Sequence, residues 1–201
     1  AGDKNFHPIF AQGIKLMSIG FLVDPDQPMV WRGPMVHGAL TQFLEQCEWG
    51  ELDYVIVDMP PGTGDAQLTL TQKAPLAGAV IVTTPQQVAL IDARKGLKMF
   101  EQVKVPVLGM VENMAYLLSD GKELDIFGRG GGRAAATELG VPFLGEIPID
   151  PAVAASGDAG MPIVAKDPDS PAAAAFRAMA GAVARQIALR SMATAAPNAP
   201  S

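Results

Sequence analysis

Short apolar runs alternate with amphipathic stretches along most of this chain. Tyr54-Val55-Ile56-Val57, Ala79–Thr84, Val107–Val111 and Phe143–Ile147 are rich in β-branched and aromatic residues and show no strict alternation. That is the pattern of strands covered on both faces of a parallel sheet. Ile14–Val23 begins with alternation and ends in a solid run, which predicts a further strand. The spacing predicts helices over Met35–Gln46, with Pro34 in the first turn, over Ala66–Lys73, and over Val88–Val103, whose Leu90, Ala93, Leu97 and Phe100 share one face. Arg133–Leu139 reads as a helix closed by Gly140, and Pro151 starts a short one. The last helix has Ser170 as cap, Pro171 at its first position and an apolar stripe of Phe176, Met179, Ala180, Val183 and Ile187. Strands alternating with helices predict βαβ units, hence an α/β fold with a doubly wound, mainly parallel sheet and right-handed crossovers. One domain is expected over residues 1–190. Residues 191–201 lack periodicity and are expected to form a disordered tail.

Composition narrows the function classes. The net charge of −6 argues against non-specific nucleic-acid binding, which needs a basic face. No apolar run reaches the length of a membrane span, and no signal-peptide pattern opens the chain. A single cysteine, Cys47, excludes an internal disulfide, so a reducing cytoplasm is the expected location. Cys47, placed with the helix Met35–Gln46, is expected to be a buried apolar thiol rather than a reactive one.

The candidate chemistry sits where the first of the four apolar runs stops. Asp58 ends the run Tyr54–Val57, and Pro60-Pro61-Gly62-Thr63-Gly64 follows as a stiff turn. Ligands of open parallel sheets bind beyond the C-terminal ends of the strands. A carboxylate there, followed by glycines with free N–H groups, suits a magnesium–phosphate site; an Asp that caps the next helix is the alternative. Gly128-Arg129-Gly130-Gly131-Gly132-Arg133 precedes a helix and reads either as an anion site at a helix N-terminus or as a flexible turn. The chain contains no G-x-x-x-x-G-K-[ST] loop and no dinucleotide fingerprint, and His7, His37 and Cys47 lack the spacing of a metal site.

The run Trp49–Asp65 closely resembles the Mrp/Nbp-type ATPases, P-loop proteins of the MinD-like group regarded as iron–sulfur cluster scaffolds and carriers. Five further blocks look like the family's, in the family's order. They are Trp31–Met35, Thr83-Thr84-Pro85-Gln86, Val111-Glu112-Asn113-Met114, Ile126-Phe127-Gly128 with Gly130-Gly131, and Leu144–Pro148. The resemblance covers roughly Gly13 to Ile163 and implies a P-loop NTPase fold. The family's P-loop strand and helix and its first switch have no counterpart here, which suggests the C-terminal part of a longer protein. By the same resemblance, Asp58 is the aspartate that holds Mg2+. Pro60, Pro61 and Gly62 form the second switch that senses the γ-phosphate, and Asp65 ends that motif. Asn113 reads the adenine edge, for which its amide is suited. The loop of Pro148 and Asp150 flanks the base.

The resemblance implies an ATP-binding and ATP-hydrolysing homodimer that delivers iron–sulfur clusters to recipient apoproteins, working with assembly proteins. Many members carry Cys-x-x-Cys between the Asn-Met and Phe-Gly blocks, where two subunits bridge one [4Fe-4S] cluster. Here that interval, Ala115–Asp125, contains no cysteine. Ser and Asp are poor ligands for soft iron. An adaptor or partitioning-type ATPase without cluster binding is therefore the alternative.

Overall fold

The computed structural model describes residues 6–22, 33–59, 65–119 and 121–195. The chain divides into two compact units, Ala1–Leu76 and Ala77–Ser201.

In the first unit, β1 (Ile9–Ala11) and β2 (Ile14–Leu16) pair as an antiparallel hairpin. Gln12 and Gly13 supply the turn, both at positive φ (51° and 81°). The strand expected over Ile14–Val23 is thus confined to β2, and Ile19–Leu22 is a 3-10 turn. Helix α1 (Gly33–Glu45) packs on α2 (Asp65–Lys73). Across that contact His37 Nδ1 lies 2.6 Å from Thr69 Oγ1, and Lys73 pairs with Glu45 at 2.8 Å. Cys47 falls just beyond α1, bridged to Phe6. Burial and the neighbouring Glu48 both push its thiol pKa up, away from the reactive thiolate.

The run Tyr54–Val57 is not a strand. Tyr54 and Val55 are exposed, and Ile56 is 92% exposed. A strand buried on both faces needs hydrogen-bonded neighbours on its edges, and among the described residues this run has none. The residue pattern identified an apolar segment but not a partner for it.

The second unit holds the parallel sheet. β3 (Ala79–Thr83), β4 (Val107–Glu112) and β7 (Phe143–Glu146) lie in the order β3-β4-β7, all parallel, with β4 central. Helix α3 (Gln87–Gln102) connects β3 to β4. Helix α4 (Gly131–Glu138) precedes β7. On one face Ile81 and Met110 pack against Leu90 and Ala93 of α3 and Ala135 and Ala136 of α4. On the other, Val111, Leu144 and Ile147 pack under Phe176, Met179 and Val183 of α7 (Pro171–Ala195). The sheet is therefore covered on both faces, as the unbroken apolar runs require. Ser170 Oγ accepts the Ala173 N–H and caps α7 as expected. Ala180 is exposed, with Ala182 in the packed stripe instead. α7 continues to Ala195, so residues 191–195 are helical rather than tail; the alanines there extend the helix at little conformational cost.

The Gly- and charge-rich connector after β4 is not featureless. β5 (Leu117–Ser119) and β6 (Lys122–Leu124) form an antiparallel hairpin. Gly121, before β6, has a φ of 73°, the left-handed region that hairpin turns favour. After β7, α5 (Pro151–Asp158) and the short α6 (Ile163–Lys166) lead to α7.

Candidate functional site

The C-terminal ends of β3, β4 and β7 converge on one set of loops, where an open parallel sheet presents its ligand site. The Asn113 N–H donates to the Thr83 carbonyl at 2.7 Å, joining the loop after β4 to the last residue of β3. Ala115 N–H donates to Ile147 O at 3.0 Å, and Ile149 N–H to Tyr116 O at 2.6 Å. Two of the segments assigned to the base, Asn113 and Pro148–Asp150, are thereby brought side by side.

Asn113 is half-buried, and its Oδ1 accepts the Met114 N–H at 2.9 Å. That bond fixes the orientation of the amide and leaves its NH2 group without a partner among the described residues. Met114 holds φ 54°, a left-handed conformation that costs free energy for a residue with a Cβ and is often kept at sites. Pro148 is buried. The Asp150 carboxylate accepts the Ala152 N–H at 2.8 Å as the N-cap of α5, with Pro151 behind it, so the Asp150 side chain shapes the loop.

Asp58 lies in the first unit, exposed, and its carboxylate has no partner among the described residues. It stands well before the first residue of α2, Asp65, and so does not cap that helix. A free carboxylate is what magnesium requires when phosphate and water supply its other ligands, so Asp58 fits that ion. Asp65 opens α2. Pro60, Pro61 and Gly62 lie outside the described residues. Among the described residues no cluster of three His, Cys, Asp or Glu side chains could hold a metal by itself.

The residue the sequence reading passed over is Glu112, the last of β4 and 0% exposed. Its Oε1 accepts the Gly130 N–H at 2.8 Å, and its Oε2 accepts the Gly132 N–H. The N-terminus of α4 is thus filled by an internal carboxylate, which answers the two readings left open for the Gly-rich segment: it is an anion site whose anion is Glu112. The glycines follow from this contact. Gly130 has φ 76°, and a Cβ on Gly132 would lie 3.0 Å from Glu112 Oε2. A Cβ on Gly131 would lie 2.5 Å from Pro85 O.

Beside Glu112 in the parallel register stands Glu146 of β7, which takes Arg133 at 3.1 Å and Arg129 at 3.4 Å. Arg129 also pairs with Glu123 of β6 and stacks on Tyr116, 4.5 Å from the ring centroid. Desolvation, with Glu123 adding to it, raises the Tyr116 phenol pKa and keeps it neutral. The signal for Glu112 was present in the sequence: like Asp58, it is an acidic residue closing an apolar run.

The comparisons with known proteins agree with this architecture. A family model described as ParA, NUBPL iron-transfer P-loop NTPase, matches residues 1–184. The chain belongs to this family. A relative from Synechocystis, called iron-sulfur cluster carrier protein, is 55% identical over 188 residues, covering 92% of this chain and 53% of that protein. A second, from Deinococcus radiodurans and of the same name, is 50% identical over 192 residues, covering 94% of this chain and 54% of that protein. The chain thus spans about half the length of the curated relatives it matches. Among solved structures, the nucleotide-binding protein of Archaeoglobus fulgidus in complex with ADP is 41% identical with a TM-score of 0.65, covering 79% of this chain and 63% of that one. The cell division ATPase MinD of Pyrococcus furiosus, 24% identical over 77% of this chain and 59% of that one with a TM-score of 0.56, shares the fold. The family is therefore one of P-loop NTPases, and the likeness to MinD is one of fold, in agreement with the α/β architecture described above.

Proposed function

We propose that this chain carries the switch and base-reading parts of an ATP-dependent iron–sulfur cluster carrier. The observation that carries the reading is the convergence of Asn113, with its open amide, and the Pro148–Asp150 segment at one end of the sheet, in a chain of a P-loop NTPase family. The Asn113 amide pairs with the adenine edge. Asp58 helps hold Mg2+, which neutralises phosphate charge when bound. Pro60, Pro61 and Gly62 respond to the γ-phosphate, and Asp65 completes that switch. ATP binding and hydrolysis in a cytoplasmic homodimer time the delivery of clusters from assembly proteins to recipient apoproteins. The carrier name of the Synechocystis and Deinococcus relatives supports the cargo, and the ADP complex of the Archaeoglobus relative supports the nucleotide.

The chain contributes one thiol, Cys47, so a cluster held by four thiolates needs thiols from elsewhere. The cysteine-free hairpin β5–β6 favours a second reading, an ATPase adaptor without cluster binding. Anaerobic reconstitution with iron and sulfide separates the two: visible cluster absorption supports the carrier, and its repeated absence supports the adaptor. Without a G-x-x-x-x-G-K-[ST] loop in its sequence, this chain alone is expected to hydrolyse ATP negligibly. Magnesium-dependent phosphate release that disappears in Asp58→Ala would contradict that expectation.

A further inference from the structure

We propose that Glu112 is the positioning residue of the base-reading site, holding the strand end that carries Asn113; the proposal rests on the nucleotide reading above. Glu112 is fully buried, and among the described residues its carboxylate pairs with no basic side chain. It is satisfied by the Gly130 and Gly132 N–H groups at the N-terminus of α4. Its own carbonyl accepts the Ile147 N–H at 2.9 Å, just before Pro148. The next peptide N–H, that of Asn113, binds Thr83 O. One residue therefore ties the ends of β4 and β7 and the start of α4 together, directly beside the Asn113 amide.

A buried carboxyl group is costly unless its oxygens find donors, and the two N–H groups at the helix N-terminus supply them in this geometry. Glutamine, although isosteric, has one carbonyl oxygen for two N–H donors. Its NH2 group would face either the Gly130 or the Gly132 N–H, donor against donor. One bond is lost and the helix start shifts away from β4. Asn113 then loses the fixed frame from which its amide can meet a base edge in register. Glu112 does not touch the nucleotide in this account; it acts through Asn113.

The test measures binding of Mg-ADP and Mg-GDP to the 201-residue chain by calorimetry, in wild type, Glu112→Gln, Asn113→Ala and the double variant. Wild type is expected to prefer ADP. Glu112→Gln should weaken ADP by about tenfold or more, the scale seen when a supporting partner of a binding group is removed. It should leave GDP nearly unchanged, so the preference collapses. The double variant should bind no worse than Asn113→Ala alone, because the two residues act in series. Glu112→Gln with a lower melting temperature but an intact ADP preference overturns the proposal and leaves the nucleotide reading standing. A wild-type chain that binds neither nucleotide, or both alike, overturns the base-reading assignment and this proposal with it. If Glu112→Gln does not fold, Gly132→Ala serves: it keeps the carboxylate but presses a methyl to 3.0 Å from Oε2. A reduced preference in that variant supports the proposal, and an unchanged one overturns it.

Discussion

Asp58 and Glu112 each close a short apolar run, and the chain treats them in opposite ways. Glu112 ends the central strand of a sheet whose two neighbours are in place, and it is wholly enclosed. Asp58 ends a run of similar composition that pairs with no strand among the described residues, and its carboxylate faces solvent. Similar sequences thus reach different outcomes because a strand is completed by its neighbours. Val107–Glu112 has β3 on one side and β7 on the other, each followed by or preceded by a helix that buries a face. The enclosed carboxylate organises backbone, whereas the open one has no partner among the described residues.

The comparison is broken most decisively by removing the two carboxylates. Glu112→Ala leaves the Gly130 and Gly132 N–H groups without their acceptor and opens a cavity, and should cost about 2–5 kcal/mol in urea unfolding. Asp58→Ala should stay within about 0.5 kcal/mol. Equal costs would show that Asp58 is also enclosed. Next, the apolar runs themselves: Met110→Ala, at a position 0% exposed, should destabilise by about 2–5 kcal/mol. Ile56→Ala should change stability by about 0.5 kcal/mol at most. A large cost at Ile56 would mean that the run is packed against a partner.

The smallest effect concerns the surface between α3 and α4. Arg94 makes two hydrogen bonds of 2.6 Å to Glu138, and they lower the Glu138 pKa below its ordinary value. A carboxylate with a depressed folded pKa contributes stability above its unfolded pKa and loses it as pH falls through the folded value. Arg94→Ala should therefore cost slightly at neutral pH and nothing in strong acid. Paired urea titrations at the two pH values check this, and a difference that persists in acid would remove the ion pair as its cause.

Much of the second unit was legible in the residue pattern. The runs Ala79–Thr84, Val107–Val111 and Phe143–Ile147 became β3, β4 and β7, and Leu90, Ala93 and Leu97 became the buried face of α3. These succeed because sheet and helices lie close in sequence, so local pattern and tertiary partner agree. The hairpin β5–β6 was missed, although Asp120-Gly121 marks it, because its strands carry too few apolar residues to show a period. At the candidate site, Asn113 and Pro148 are proposed only by resemblance to the family's blocks, and Glu112 stands in one of those blocks without a role. A buried polar residue declares itself only through its partners, and those of Glu112 lie some twenty positions away at Gly130 and Gly132.

The sequence by itself therefore determined the class of fold and the family, since each rests on composition, short-range periodicity or a contiguous motif. Only the tertiary structure decided which apolar runs become strands and which acidic residue is enclosed. It also decided that the glycines before α4 receive a carboxylate from within the chain. Those outcomes depend on hydrogen-bond partners and packing surfaces brought in from distant positions, and neither hydropathy nor spacing carries that information.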